Sequence, residues 1–229
     1  MQIQDASKGR TVGYQFDWSA VAEPRLWATA CGVTLSYAIG TILMGIILGV
    51  ICGVILLIPS FWVTAPVRAY VQFFRCTPLL VQIVWFFYAL PMVSGASLPA
   101  WAAAGIGLTL YMGAFCAEIF RGGVISIDRG QWQSSRALGM TYLQMMWHII
   151  LPQAMRRMVP PVVNQSVLQL KNTSLLYVVA VPDLMYTSAE ITSRTYRPLE
   201  SYTCVAAIYF ALLYPMTALS KRLETRVDR

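Results

Sequence analysis

The chain has 229 residues, 57% of them hydrophobic and only 12% charged, about half the charged share of an ordinary soluble domain. The apolar residues come in long blocks rather than at spaced positions, which excludes a soluble globular domain and points to an all-α, polytopic membrane protein. The formal charge of +7 resides in loops and at the C-terminus, with no Lys/Arg run interleaved with aromatics, so a nucleic-acid surface is excluded.

The first 25 residues lack an apolar core of 7–15 residues, so no cleaved signal peptide is expected. Within the N-terminal arm, 1–26, the stretch "DWSAVAEPRLW" (17–27) predicts a short helix on the membrane surface, anchored by Trp18 and Trp27. Residues 27–58 predict the first span, which exceeds the ~20 residues a bilayer core needs and implies tilt or overhang. Gly40, Gly45, Gly49 and Gly53 form a smooth stripe along which another helix can approach closely. Pro59 is expected to stop this helix.

Residues 61–91 cross back. The first half carries Arg68 and Arg75 and is expected to begin in the cytoplasmic interface. Pro78 removes a backbone donor and disturbs the helix at "CTP" (76–78), after which "LLVQIVWFFYALP" completes the second span. "MVSGASLPA" is a short turn. Residues 99–118 form the third span, ending at Glu118 and Arg121. Residues 119–157 are the longest non-spanning segment. A fourth span is expected at 158–181, a polar loop at 183–200, a fifth span at 201–220 and a charged tail at 221–229.

Five spans put the termini on opposite sides, and the basic residues decide which. Eleven (Arg68, Arg75, Arg121, Arg129, Arg136, Arg156, Arg157, Lys221, Arg222, Arg226, Arg229) fall on one side and five (Lys8, Arg10, Arg25, Arg194, Arg197) on the other. The majority side is cytoplasmic by the positive-inside rule. The C-terminus and 119–157 are then expected in the cytoplasm and the N-terminus outside.

The fourth span is the least apolar. At 100° per residue Asn164 and Lys171 share one face, Gln165, Gln169 and Asn172 a second, and Ser166, Thr173 and Tyr177 a third. Lipid cannot satisfy these groups, so the helix is surrounded by protein or lines a wet path. Two readings stand at this point: helix–helix glue, or a substrate path. Lys171 can hold a substrate carboxylate, or pair with Glu118 or with backbone carbonyls. Gln82 is the other polar group at membrane depth. Glu118 reads as a structural partner of a nearby Arg, with proton carriage as the rival.

In the non-spanning segment, "GQWQSSRALG" can form two helical turns closed by Gly139 as the residue after the C-cap. Thr141 is placed as an N-cap, with Gln144 completing a capping box. A second helix then covers 142–151, stopped by Pro152. The pair is either a hairpin flat on the membrane, with Met145, Met146, Trp147, Ile149 and Ile150 in lipid, or a knob on which a soluble partner docks.

The five cysteines are scattered, with no CxxC, and His148 is the single histidine, so no metal or disulfide site is expected. No phosphate-loop, HExxH or GxSxG pattern occurs, so the chain is not expected to be an enzyme or to hydrolyse nucleotide itself.

The stretch "ALGMTYLQMMWHIILPQA" resembles the EAA loop of bacterial ABC importer permeases. Four further stretches narrow the resemblance to the polar-amino-acid (histidine/glutamine/glutamate type) permeases: "GVTLSYA", "FFRCTPLLVQ", "AEIFRGGVISIDRGQ" and "LKNTSLLYVV". It covers about 28–220. Gln133-Ser134-Ser135 stand where the motif has Glu-Ala-Ala, and Cys76 where it has Gly. The resemblance implies a type I permease domain over 27–220 with five transmembrane helices and a cytoplasmic coupling helix. It implies that Gln133, Ser134, Ser135, Arg136, Ala137, Leu138, Gly139, Met140 and Thr141 meet an ATPase subunit. The substrate path would then hold Gln82, Asn164, Gln165, Gln169, Lys171, Asn172, Thr173 and Ser174. Implied partners are cytoplasmic ATP-binding subunits that use ATP and Mg, a second permease chain (identical or sister), a periplasmic solute-binding protein and the inner-membrane bilayer. This chain would bind no cofactor. The implied function is import of a polar amino acid or related small solute by alternating access. A stand-alone channel or ion-coupled carrier, or a purely structural membrane subunit, is the alternative.

Overall fold

The computed structural model describes residues 3–5, 10–12, 14–95 and 97–227. Lys8 and Arg229 of the charge count, and Ala96 of the turn after the second span, lie outside the described residues. At 3–5, 10–12 and 223–227 only the backbone is described.

Strands β1 (Ile3–Asp5) and β2 (Arg10–Val12) pair antiparallel, with Ile3 opposite Val12. A single 3-10 turn, Trp18–Val21, replaces the expected surface helix. Its N-cap Asp17 accepts a hydrogen bond from the Ser19 N–H at 3.1 Å. Trp27 is not a membrane anchor either. It lies inside the next helix, buried, and donates from Nε1 to the Val21 carbonyl at 2.9 Å. A buried indole needs such a partner. The arm is tied down by Glu200, whose carboxylate accepts from Tyr14 Oη and from the Asp17 N–H and pairs with Arg197 at 3.2 Å.

Helix α1 (Pro24–Ile55) starts with proline at its first positions, where no N–H is needed, and ends four residues before Pro59. Helix α5 (Ala100–Ile125) runs parallel to it, with Gly45, Gly49 and Gly53 set against Met112, Cys116 and Phe120 in turn, and extends past the expected end at 118. The neighbour of the glycine stripe is therefore internal. A Cβ on Gly49 would meet Cys116 Cβ at 2.3 Å, one on Gly45 would meet Met112 at 2.4 Å and one on Gly53 Phe120 at 2.8 Å. Gly40 is the exception and faces open space.

Between these two come α2 (Phe61–Cys76), α3 (Leu79–Val84), a π turn at Trp85–Ala89 and α4 (Leu90–Ser94). The chain bends by 108° at the break around Thr77 and Pro78, more than the disturbance expected there. By length and composition three helices are able to cross a membrane, α1, α5 and the stretch 198–222, or four if the bent pair is one span. The fourth expected span, 158–181, is not among them.

Helices α6 (Arg129–Ala137) and α7 (Tyr142–Met145) follow, then a π turn at Met146–Ile150 and α8 (Leu151–Asn172). The expected stop at Pro152 does not occur. Leu151 donates to the Met146 carbonyl, five residues back, and this wider turn carries the proline into α8 without breaking the helix. Pro160 and Pro161 also lie inside α8. A 3-10 segment, Thr173–Val179, completes this arm and ends at Ala180 in the left-handed conformation. The expected loop at 183–200 is largely a helix, α9 (Leu184–Thr195), N-capped by Asp183. Helix α10 (Pro198–Val227) closes the fold.

Candidate functional site

Two regions carry the chemistry: the α6–α7 bend and the polar part of α8.

Asp128 opens α6 by accepting from the Gly130 N–H at 2.6 Å. Gly139 ends it at φ +75°, a conformation that L side chains resist. The Gly139 N–H returns to the Arg136 carbonyl at 2.9 Å and the Met140 N–H to the Ser135 carbonyl at 3.2 Å, so the last carbonyls are satisfied. Thr141 then caps α7. Its N–H donates to Gln144 Oε1 at 2.9 Å and its Oγ1 accepts from the Gln144 N–H at 3.4 Å. The bend is thus fixed from both sides.

The underside of this bend is rooted in the protein. Met145 and Ile150 are buried with Phe120, Val124, Ala154 and Met158, and Met146, Ile149, Trp132 and Met140 pack against them. These side chains face the protein's own core, whereas Trp147, the fifth residue of the hairpin reading, is exposed. Ser135 is buried and donates to the Gln131 carbonyl at 2.6 Å. Gln133, Ser134, Arg136, Ala137, Gly139 and Thr141 point outward. Leu138 is 80% exposed, Leu143 67% and Trp147 65%. These apolar groups have no cover among the described residues.

The polar residues of α8 separate by environment. Gln169 is wholly buried and donates to Thr41 Oγ1 at 3.0 Å and to the Leu108 carbonyl at 2.9 Å, tying α8 to α1 and α5. Thr173 is buried and returns its hydroxyl to the Leu170 carbonyl at 2.7 Å. Gln165 is buried, and its Nε2 has no partner among the described residues. Asn164 and Lys171 lie on the exposed face, with Asn164 Oδ1 accepting from Ser220 Oγ at 2.9 Å. Asn172 and Ser174 are half-buried. Gln82 does not join this group. Its Nε2 donates to the Phe74 and Thr77 carbonyls and to Thr77 Oγ1, holding the break between α2 and α3.

The alternative Lys171–Glu118 pair is not formed. Glu118 is held by Arg121 at 2.8 Å and by Arg75 at 4.0 Å, as a structural partner of arginine. Lys171 has no ion pair among the described residues.

One polar site escaped the sequence reading. Asp183 is fully buried where α9 meets α1 and α10. Its Oδ1 accepts from the Tyr186 N–H at 2.8 Å, while Oδ2 and Tyr209 Oη have no partner among the described residues. Burial raises its carboxyl to about 6, against the backbone N–H groups of Tyr186 and Met185 and the nearby Tyr209 hydroxyl, which lower it although that hydroxyl falls short of hydrogen-bond geometry. The Pro-Asp pair before an apolar run was the available N-cap signal.

Residues 45–229 match the family described as binding-protein-dependent transport system inner membrane component. The glutamine transport system permease protein GlnP of Escherichia coli (strain K12) is 32% identical over 225 residues, covering 93% of this chain and 98% of that protein. The probable glutamine ABC transporter permease protein GlnM of Bacillus subtilis (strain 168) is 40% identical over 161 residues, 70% of this chain and 74% of that one. The octopine transport system permease protein OccM of Rhizobium meliloti is 34% identical over 201 residues, with 84% and 82% covered. Among solved structures, an amino acid ABC transporter with histidines superposes with a TM-score of 0.87 at 29% identity, over 93% of this chain and 100% of that one. The inward-facing MetNI methionine ABC transporter shares the fold, with a TM-score of 0.73 at 22% identity over 91% of this chain and 100% of that one.

Proposed function

The chain belongs to the family of binding-protein-dependent transport system inner membrane components, and from that premise we propose that the α6–α7 bend is where an ATPase subunit drives it. The protein is a permease subunit of an amino-acid ABC importer and not itself an enzyme. Its partners are two cytoplasmic ATP-binding subunits, which consume ATP and Mg, a second permease chain (identical or sister) and a periplasmic solute-binding protein. The N-terminus lies outside and the C-terminus in the cytoplasm, in agreement with the eleven-to-five split of basic residues.

The observation that carries the proposal is the bend itself. Residues Gln133 to Thr141 are fixed by Gly139 and the Thr141 capping box, rooted by Met145 and Ile150, and topped by uncovered Leu138, Leu143 and Trp147. A rigid base under an apolar tip transmits a push as a body. The GlnP and GlnM names favour glutamine or a related polar amino acid as the solute. The exposed Lys171 and Asn164, with half-buried Asn172 and Ser174, form the part of the path that meets it. Gln82, Gln169 and Thr173 hold the scaffold behind, and Gln165 is buried with its Nε2 unpartnered among the described residues.

The test is co-purification. Leu138→Asp together with Ala137→Leu, both at exposed positions, is expected to abolish recovery of the ATP-binding subunit with a permease that still unfolds at its normal temperature. An intact complex in that variant overturns docking at this bend. Uptake that persists in vesicles without ATP overturns the wider reading.

A further inference from the structure

A cavity of about 390 Å³ opens between the C-terminal end of α1, the middle of α2 and the C-terminal third of α5, away from both regions described above. Its polar lining is Arg68, Gln72, Glu118 and Arg121, and its apolar wall is Leu56, Val71 and Ile125. Charge does not balance here. Glu118 accepts from Arg121 Nε and Nη2 at 3.2 and 2.8 Å, so one guanidinium is matched. Arg75, outside the lining, reaches the same carboxylate only at 4.0 Å and lies over the Phe115 ring at 5.4 Å. Arg68 has no hydrogen bond or ion pair among the described residues. Three arginines around one carboxylate leave about two positive charges without a counter-charge, at the end of two helices apolar enough to span a bilayer.

We propose that this cavity binds the phosphate of an anionic glycerophospholipid, held by Arg68, the free Nη1 of Arg121 and the Gln72 amide. Guanidinium groups match phosphate oxygens in pairs, and basic pockets between membrane helices are where anionic headgroups lodge. The level is right. Helix α2 begins with Phe61 and Trp62, exposed aromatics of the kind that settle among headgroups, and Arg68 lies less than two turns further along. The apolar wall continues outward through Ile125, which is itself exposed, giving acyl chains a surface that a soluble anion would leave wet. The site depends on α1 and α5 spanning a membrane, but not on which side their ends face.

The full chain in neutral detergent, titrated in native mass spectrometry with phosphatidylglycerol and separately with phosphatidylcholine, tests this. One phosphatidylglycerol adduct is expected, preferred over phosphatidylcholine by about fivefold or more. Arg68→Gln breaks no internal bond and is expected to weaken the adduct about fivefold. Arg68→Lys keeps the charge and is expected to restore most of it, and Arg129→Gln, an exposed arginine outside the cavity, to change nothing. Equal binding of the two lipids, or an unchanged adduct in Arg68→Gln, overturns the proposal. So does displacement of the lipid by millimolar inorganic phosphate, which would make the site one for a soluble anion.

Discussion

Gln169 donates to Thr41 Oγ1 at 3.0 Å, a bond between residues 128 positions apart in the chain. The same amide reaches the Leu108 carbonyl at 2.9 Å, so one side chain joins α1, α5 and α8 at a point without water access. Gln169→Ala leaves that carbonyl and a small void behind. It is expected to cost about 1–3 kcal/mol, seen as a fall of several degrees in thermal unfolding in detergent. An unchanged midpoint would show that the bond is dispensable.

The close approach of α1 and α5 gives a second expectation. A methyl group on Gly49 would overlap Cys116 Cβ, whereas one on Gly40 meets nothing within 4 Å. Gly49→Ala is therefore expected to cost about 1–3 kcal/mol, and Gly40→Ala close to nothing. Comparing the two unfolding midpoints in the isolated chain checks the contrast, and equal midpoints would contradict this packing.

Lys171 offers the reverse case, a residue whose loss leaves the fold intact. It is exposed and carries no ion pair among the described residues. Lys171→Ala is expected to keep the unfolding temperature while cutting ATP-driven uptake about tenfold or shifting solute preference, as loss of one charged contact does. Wild-type uptake with an unaltered preference would remove Lys171 from the path.

Asp183 predicts a pH dependence. Its carboxyl is raised to about 6 by burial, above the ordinary 3.8, so the folded state keeps a proton that the unfolded chain has already lost. Stability from this group is present in full below about pH 4 and is lost as pH rises through 6. Asp183→Asn removes the titration. The unfolding temperature of the variant should gain on the wild type between pH 4 and pH 7, and a constant difference across that range would contradict a buried, protonated carboxyl.

Much of the bend was legible because its determinants are local. Gly139, Thr141 and Gln144 act within six residues, and backbone stereochemistry alone places them. The long apolar blocks were legible for the same reason, though α5 overran its expected end and α1 stopped short. What the sequence withheld was partnership at a distance. Periodicity placed Gln169 among residues open to a path, but only the approach of Thr41 and Leu108 makes it an internal tie. Trp27 was read as a membrane anchor because its partner, the Val21 carbonyl, depends on a turn that composition does not specify. Pro152 was read as a stop because the π turn that carries the helix past it has no sequence signature. Asp183 sat in a stretch counted as loop, where nothing announced its burial.

The wide turn at Met146–Ile150 has a mechanical corollary. Because it keeps the helix unbroken, Tyr142 through Asn172 run as one continuous helical stretch, with Pro152, Pro160 and Pro161 inside it. One end of that stretch carries Tyr142 and Leu143, beside the apolar tip, and the other carries Lys171 and Asn172. Under the proposed docking at the bend, this stretch is the covalent connection between the docked tip and Lys171. Pro152, a residue type that ends or kinks most helices, is here carried inside one by a single wide turn.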